Sequence, residues 1–234
     1  MTTVKLVRYD PDNQIEVDEL TRQRVLCGWN IDAIDKWKKY IQQDLKALFW
    51  VWPADTPQAE ELWTRDMPDV DRCNLTPENG PPPNPEFRPL GHCSLDWYDD
   101  MGDRELACRD ERPRRIQLST FFVLTHLTGR GLGNMLLQEL ERIAALPPFD
   151  ADIITLNTMD RSRATDPEFA KIFGWHYNPK TRVNQDWYER KGYKVFKRMV
   201  PRYQDNRLAD GQIQMIEACY MLKYLKPVDE TQEL

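Results

Sequence analysis

Val123-Leu124-Thr125-His126-Leu127-Thr128-Gly129-Arg130-Gly131-Leu132-Gly133-Asn134 is the stretch that decides the fold. The β-branched and aromatic run 116–127 leads into it and predicts the strongest strand of the chain. After it Leu132, Met135, Leu136, Leu140, Ile143 and Ala144 line one face of a predicted helix, which Leu146-Pro147-Pro148 stops. A strand therefore feeds through Gly-x-Gly-x-Gly into an amphipathic helix. Glycines admit a ligand close to the backbone. The first helical turn leaves N–H donors unpaired, and its dipole favours anions. With the fixed charge of Arg130 beside it, the turn reads as a pyrophosphate cradle, although a purely structural turn has the same glycines. A Walker loop needs Gly-Lys-Ser/Thr, but Leu132-Gly133-Asn134 follows the second glycine here. A Rossmann turn spaces its glycines two and then three apart and opens its domain. Gly129, Gly131 and Gly133 run two and two, in mid-chain.

Upstream, a short strand is expected over 4–8, then helical spacing over about 16–43. There Leu20, Val25, Ile31, Ile34, Trp37, Tyr40 and Ile41 form the apolar face, and Gly28-Trp29-Asn30 divides the segment into two helices. A strand over 47–52 ends at Pro53. Residues 54–86 form a Pro-rich insertion, a surface loop or a lid that Trp63 and Met67 could anchor. Strand patterning resumes over 87–98, and a charged stretch fills 99–115. Downstream come a strand over 152–159, a short helix over 184–191 closed by Gly192, and strands over 193–203 and 213–225. Between the last two, Asp205-Asn206-Arg207 and Asp210-Gly211 are turn signals. No linker divides residues 1–234, so the expectation is a single mixed α/β domain.

Composition narrows the function. The 234 residues carry 32 Lys+Arg against 38 Asp+Glu, a net charge of -6, which argues against nucleic-acid binding by bulk charge. The N-terminus has no apolar leader and no stretch is long enough to span a membrane, so neither secretion nor membrane partnership is expected. Five scattered cysteines suggest neither a zinc site nor a disulfide framework, and a reduced cytoplasmic setting is the default.

Residues 128–133 resemble the R/Q-x-x-G-x-G/A signature of the GNAT acyl-CoA N-acyltransferase superfamily. Gly131 and Gly133 match, Arg130 stands where many members carry a basic residue, and Thr128 replaces the usual Arg or Gln. Trp187-Tyr188-Glu189-Arg190-Lys191-Gly192-Tyr193 resembles the family's Y-x-x-x-G-F element, with Tyr193 for Phe. The family's upstream Asn falls on Thr181, leaving Asn184 and Asn157 as substitutes. The order of elements agrees with the family along most of the chain.

The resemblance implies a central mixed, mostly antiparallel sheet flanked by helices and splayed between its fourth and fifth strands. It implies acetyl-CoA as co-substrate, with pantetheine bonded to the backbone of Phe122, Val123 and Leu124. Its pyrophosphate would lie on Thr128, Gly129, Arg130, Gly131, Leu132, Gly133 and Asn134. Tyr188 is the implied proton donor to the departing thiolate, and no metal is implied. The activity implied is N-acetyl transfer to a primary amine of a small molecule or an exposed protein amine, by direct attack. A non-catalytic acyl-CoA-binding or regulatory module of the same fold is the alternative.

Some members deprotonate the amine with a carboxylate on the fourth strand, but residues 112–138 hold no Asp or Glu. A base must come from elsewhere: from Asp96 or Glu217, from Ser119 or Thr120 through a water, or from solvent. Asp96, Asp99 and Asp100 could attract a cationic amine or form a solvated turn. Trp97, Trp175 and Trp187 are acceptor-pocket or core candidates. His126 reads as a solvated turn residue that could act as a base, and His92 and His176 as structural.

Overall fold

In the computed structural model, residues 4–57, 59, 61, 80–81, 84–100, 102–172, 183–199 and 217–226 are described. The strands are β1 (Val4–Arg8), β2 (Lys46–Pro53), β3 (Gly91–Asp96), β4 (Arg115–Val123), β5 (Ile153–Met159), β6 (Lys194–Met199) and β7 (Ala218–Tyr224). They join in one sheet in the order β1-β2-β3-β4-β5-β7-β6. Every neighbouring pair is antiparallel except β4 with β5, which is parallel. The expected mixed sheet is therefore present.

Two irregularities of β4 position the site. Its pairing with β5 runs from Arg115–Ile153 only to Leu118–Leu156. Beyond that row β4 stays on β3 as far as Val123 with Gly91, while β5 stays on β7 as far as Met159 with Ala218. The two strands part, as expected. On the β3 side, Leu95 faces Leu118 but Ser94 faces Thr120, so Ser119 is an extra, bulged residue.

The helices are α1 (Gln14–Cys27), α2 (Ile34–Gln42), α3 (Leu132–Ala145), α4 (Arg161–Ala164), α5 (Pro167–Ile172) and α6 (Asn184–Glu189), with 3₁₀ turns at Ile31–Ala33 and Thr125–Leu127. Asn13 caps α1 by accepting from the Ile15 amide, and Gly28 ends it by donating to the Arg24 carbonyl. Gly28 thus separates α1 from α2 as the sequence predicts. The predicted strand 116–127 is shorter. Leu127 donates to the Leu124 carbonyl and Thr128 to that of Thr125, which curls the chain into a 3₁₀ turn after Val123. Helices α4 and α5 were not anticipated. Residues 62–79, with Trp63 and Met67, and 200–216, with both closing turn signals, lie outside the described residues.

Strand side chains alternate between two faces. Ala47, Phe49 and Val51 of β2 join one core, in which α3 sets Leu136, Leu140 and Ala144 against Ile116, Leu118 and Ile154. Leu48 and Trp50 face the other way and join Leu20 of α1 and Trp37 of α2. Here the expectation for α1 is corrected. Its inward side carries Glu19, Arg22, Gln23 and Arg24 around Leu20, whereas Val25 is only half-buried and Leu26 is exposed. Glu19 pairs with Arg22 and Gln23 along the helix, while Gln23 and Arg24 reach partners beyond it at Pro89, His92 and Trp29.

Candidate active site

Gly129 (φ +83°) and Gly131 (φ +89°) hold left-handed conformations that side chains resist, and so turn β4 into α3. Among the described residues no side chain caps α3; its first backbone bonds run from Asn134 and Met135 to the Gly131 carbonyl. The Leu132 and Gly133 amides, ahead of those bonds, have no backbone partner among the described residues. A helix start with open donors is a ready anion site. Here α3 meets α6: the Trp187 indole N–H donates to Asn134 Oδ1 at 3.1 Å, and a Cβ at Gly133 would stand at ordinary contact distance from that ring, 3.7 Å. Thr128 does not face this turn as the signature position would. Its hydroxyl donates to the Thr125 carbonyl at 2.7 Å.

Of the three strand residues expected to offer backbone groups, geometry selects one. The Leu124 amide donates to Leu90, and its carbonyl accepts from Leu127. The Phe122 carbonyl points at Gly91. Only Val123 presents its backbone to the open side of β4, as does Phe121, because these directions alternate along a strand.

Where β4 and β5 part lies a cavity of about 270 Å³. Ser119 to Phe121 and Asn157 to Met159 form two of its walls, Arg24 to Asn30 contribute a third, and Asn184 and Tyr188 of α6 close it. Tyr188 is 8% exposed and packs on Trp187 and Tyr193, with centroids 4.7 and 5.5 Å away. Burial pushes its phenol well up, so it keeps its proton through the neutral range. The structure thus gathers Tyr188, the β4 strand and the glycine turn at one end of the sheet.

Behind Ser119 stands a buried polar chain. Lys46 Nζ donates to Asp96 Oδ2 at 2.8 Å, to Ser94 Oγ at 2.9 Å and to Ser119 Oγ at 3.1 Å, and lies 4.5 Å from the Trp37 ring centre. The Ser119 hydroxyl donates to Asp96 Oδ2. Asp96 Oδ1 is buried with no partner among the described residues. Burial pushes Asp96 up against the pull of Lys46 and the serines. The chain continues at His92. Gln23 Nε2 donates to Glu19 and to the Pro89 carbonyl, so Gln23 Oε1 accepts from His92 Nδ1 at 2.8 Å. His92 Nε2 then accepts from Arg24 Nη1 at 3.2 Å. Burial, with the charges of Arg24 and Lys46, holds His92 well below its ordinary value and therefore neutral.

No family model matches the sequence, and no curated protein matches it. Solved structures do match in fold. An aminoglycoside 6'-N-acetyltransferase complexed with coenzyme A is 14% identical with a TM-score of 0.51, over 97% of this chain and 99% of that one. A spermidine/spermine N-acetyltransferase from Vibrio cholerae is 11% identical at 0.51, over 96% and 94%. A protein from Desulfovibrio desulfuricans, described as an acetyltransferase of the GNAT family, is 12% identical at 0.50, over 95% and 99%. The fold is the GNAT acetyltransferase fold. In that GNAT frame the parallel β4–β5 pair, its early parting and the glycine turn fall in one place.

Other expected residues are relocated. Asp96 does not belong to a solvated acidic cluster, because it is turned inward to Lys46, while Asp100 pairs with Lys36 at 2.7 Å. Trp97 lies beside Phe149, away from the cleft. His126 is half-buried, and its Nε2 has no partner among the described residues. Trp175 and His176 lie outside those residues. Sequence reading missed Arg24 and Lys46. One signal was there to find: His92, Ser94 and Asp96 alternate along a strand, which marks a polar stripe on one face.

Proposed function

We propose that the protein is an acetyl-CoA-dependent N-acetyltransferase acting on a primary amine. The observation that carries this reading is the parting of β4 from β5 beside an uncapped, glycine-turned helix start. The two together form a slot with one open strand edge and an anion site at its mouth. The residues suit acetyl-CoA: Phe121 and Val123 offer backbone groups to a pantetheine arm, and the Gly129–Gly133 amides suit a pyrophosphate. When bound, acetyl-CoA supplies an acyl thioester to the attacking amine.

The chain's own residues divide the remaining work. Walls from α1, β4 and α6 position the amine, which is where much of the rate of a two-substrate reaction originates. An open amide of β4 can polarise the thioester carbonyl. Ser119 borders the cleft and donates to Asp96, so it can take a proton from the amine nitrogen while passing its own to Asp96 Oδ2. This fills the gap left by a β4 without carboxylates: the acid comes from β3 and the bulge brings a hydroxyl to it. Tyr188 can protonate the departing sulfur.

The test is thiol release from acetyl-CoA across a panel of amines. Amine-dependent release that collapses in Gly131→Glu supports the reading, since the new carboxylate would stand where phosphates belong. Calorimetric CoA binding with no thiol release from any amine would instead favour the non-catalytic acyl-CoA module.

A further inference from the structure

Three cations are buried beneath α1 and α2, and two have carboxylates. Lys46 has Asp96 at 2.8 Å, and Arg22 has Glu19 at 2.5 Å. Arg24 is equally buried at 3% exposed, yet no carboxylate pairs with its guanidinium among the described residues: its partners there are the Trp29 carbonyl, which accepts from Nε at 2.8 Å and also from Nη2, His92 Nε2 and the Cys27 side chain. Its flat face lies 5.4 Å from the Trp37 ring centre. A buried charge without a counter-ion is costly, and neutral dipoles compensate it only in part. Arg24 is also the cation that borders the cleft. Among the described lining residues it is the only ionised side chain; the rest of the polar lining is hydroxyl, thiol or amide, as in Ser119, Asn30 and Asn184.

We propose that the acceptor is an amine that also bears a carboxylate, held at Arg24 while its nitrogen faces Ser119. This rests on the N-acetyltransferase reading and names its substrate class. The planar fork of a guanidinium matches a carboxylate through two parallel hydrogen bonds. Neutral His92 behind Arg24 brings no competing negative charge. A polycationic amine would meet a like charge in the wall with no carboxylate among the described lining residues to receive it.

The experiment measures kcat/KM by thiol release for free α-amino acids, for the matching amino acid amides and for a linear polyamine. Free acids should exceed their amides by about tenfold or more, the scale of a charge-assisted hydrogen bond. In Arg24→Gln that preference should vanish, the acid-to-amide ratio of kcat/KM falling to about one. Arg24→Lys, which keeps the charge but loses the fork, should fall between. If Arg24 only supports the Trp29 loop, Arg24→Gln would lower acids and amides alike, and that result would overturn the proposal. So would a parent enzyme that prefers amides or the polyamine. Should Arg24→Gln fail to fold, the parent's acid-to-amide ratio and Arg24→Lys decide the matter. An absence of thiol release with every amine tested would sink the enzymatic reading and this inference together, whereas release without acid preference sinks the inference alone.

Discussion

On the α3 face of the sheet, Leu136, Leu140 and Ala144 meet Ile116, Leu118 and Ile154, and the strands offer little but hydrocarbon. On the face beneath α1 and α2, β2 and β3 place Lys46, His92, Ser94 and Asp96, just as deeply buried. The first face is held by apolar area, at about 1.5–3 kcal/mol for each large side chain buried, and tolerates imperfect geometry. The second is held by directed bonds, each of which leaves a costly orphan if its partner is lost. The difference teaches where chemistry can reside. The apolar face carries the helix whose backbone end suits the acyl carrier. The polar face reaches the cleft at Ser119 and Arg24, the residues proposed for proton movement and acceptor recognition.

The largest expected effect lies where both faces meet the cleft. Tyr188→Phe should lower kcat by about 10²–10⁴-fold, the range for general acid catalysis, with CoA affinity and melting temperature nearly unchanged. Steady-state and single-turnover thiol release measure it. A kcat within about threefold of the parent, where chemistry limits the rate, would reduce Tyr188 to a packing residue.

The second effect sets the two faces against each other. Lys46→Met strands a buried carboxylate and should cost about 3–5 kcal/mol. Leu140→Ala on the α3 face should cost about 2–5 kcal/mol through its cavity. The faces separate on repair: Lys46→Met with Asp96→Leu should recover much of the loss, because a buried pair can often be replaced by hydrocarbon. Urea unfolding supplies all the values. A Lys46→Met protein as stable as the parent would mean that Asp96 is not held as a charge.

The smallest effect concerns the relay. Ser119→Ala should lower kcat/KM by roughly 10²-fold, the low end for general base catalysis. The relay works only while Asp96 is ionised. Burial raises the Asp96 pKa, so activity should fall with decreasing pH above the ordinary aspartate range, and Ser119→Ala should flatten that fall. A parent-like pH profile in Ser119→Ala would remove Asp96 from the mechanism.

What was legible in the sequence follows the same division. Backbone features leave local marks: Gly129 and Gly131 announce a turn, Gly28 a helix end, and the run after Arg115 a strong strand. The glycine turn and the position of Tyr188 beside the cleft were therefore readable. The acceptor side depends on which polar residues meet across strands, and that is fixed by register. Ser119 reaches Asp96 because one residue is bulged at Ser94/Leu95, and nothing in the run Ser119-Thr120-Phe121 announces a bulge. The inward face of α1 was misjudged for a related reason. Apolar periodicity assumes that buried means apolar, whereas Gln23 and Arg24 are buried by His92 and the Trp29 carbonyl. That the Leu124 backbone is already bonded was not legible either, because a strand's length does not reveal that its next residues curl back onto its carbonyl.

The central claim is that the opening between β4 and β5, with the glycine turn at its mouth, receives the acyl carrier. Backbone hydrogen exchange, with and without saturating CoA, tests it most directly. The account predicts slowed exchange at Ser119, Phe121 and Val123 and through Gly129–Asn134, with β1 and β2 unchanged. Unchanged exchange throughout Ser119–Asn134 at saturating CoA, or protection confined to another part of the sheet, would contradict it.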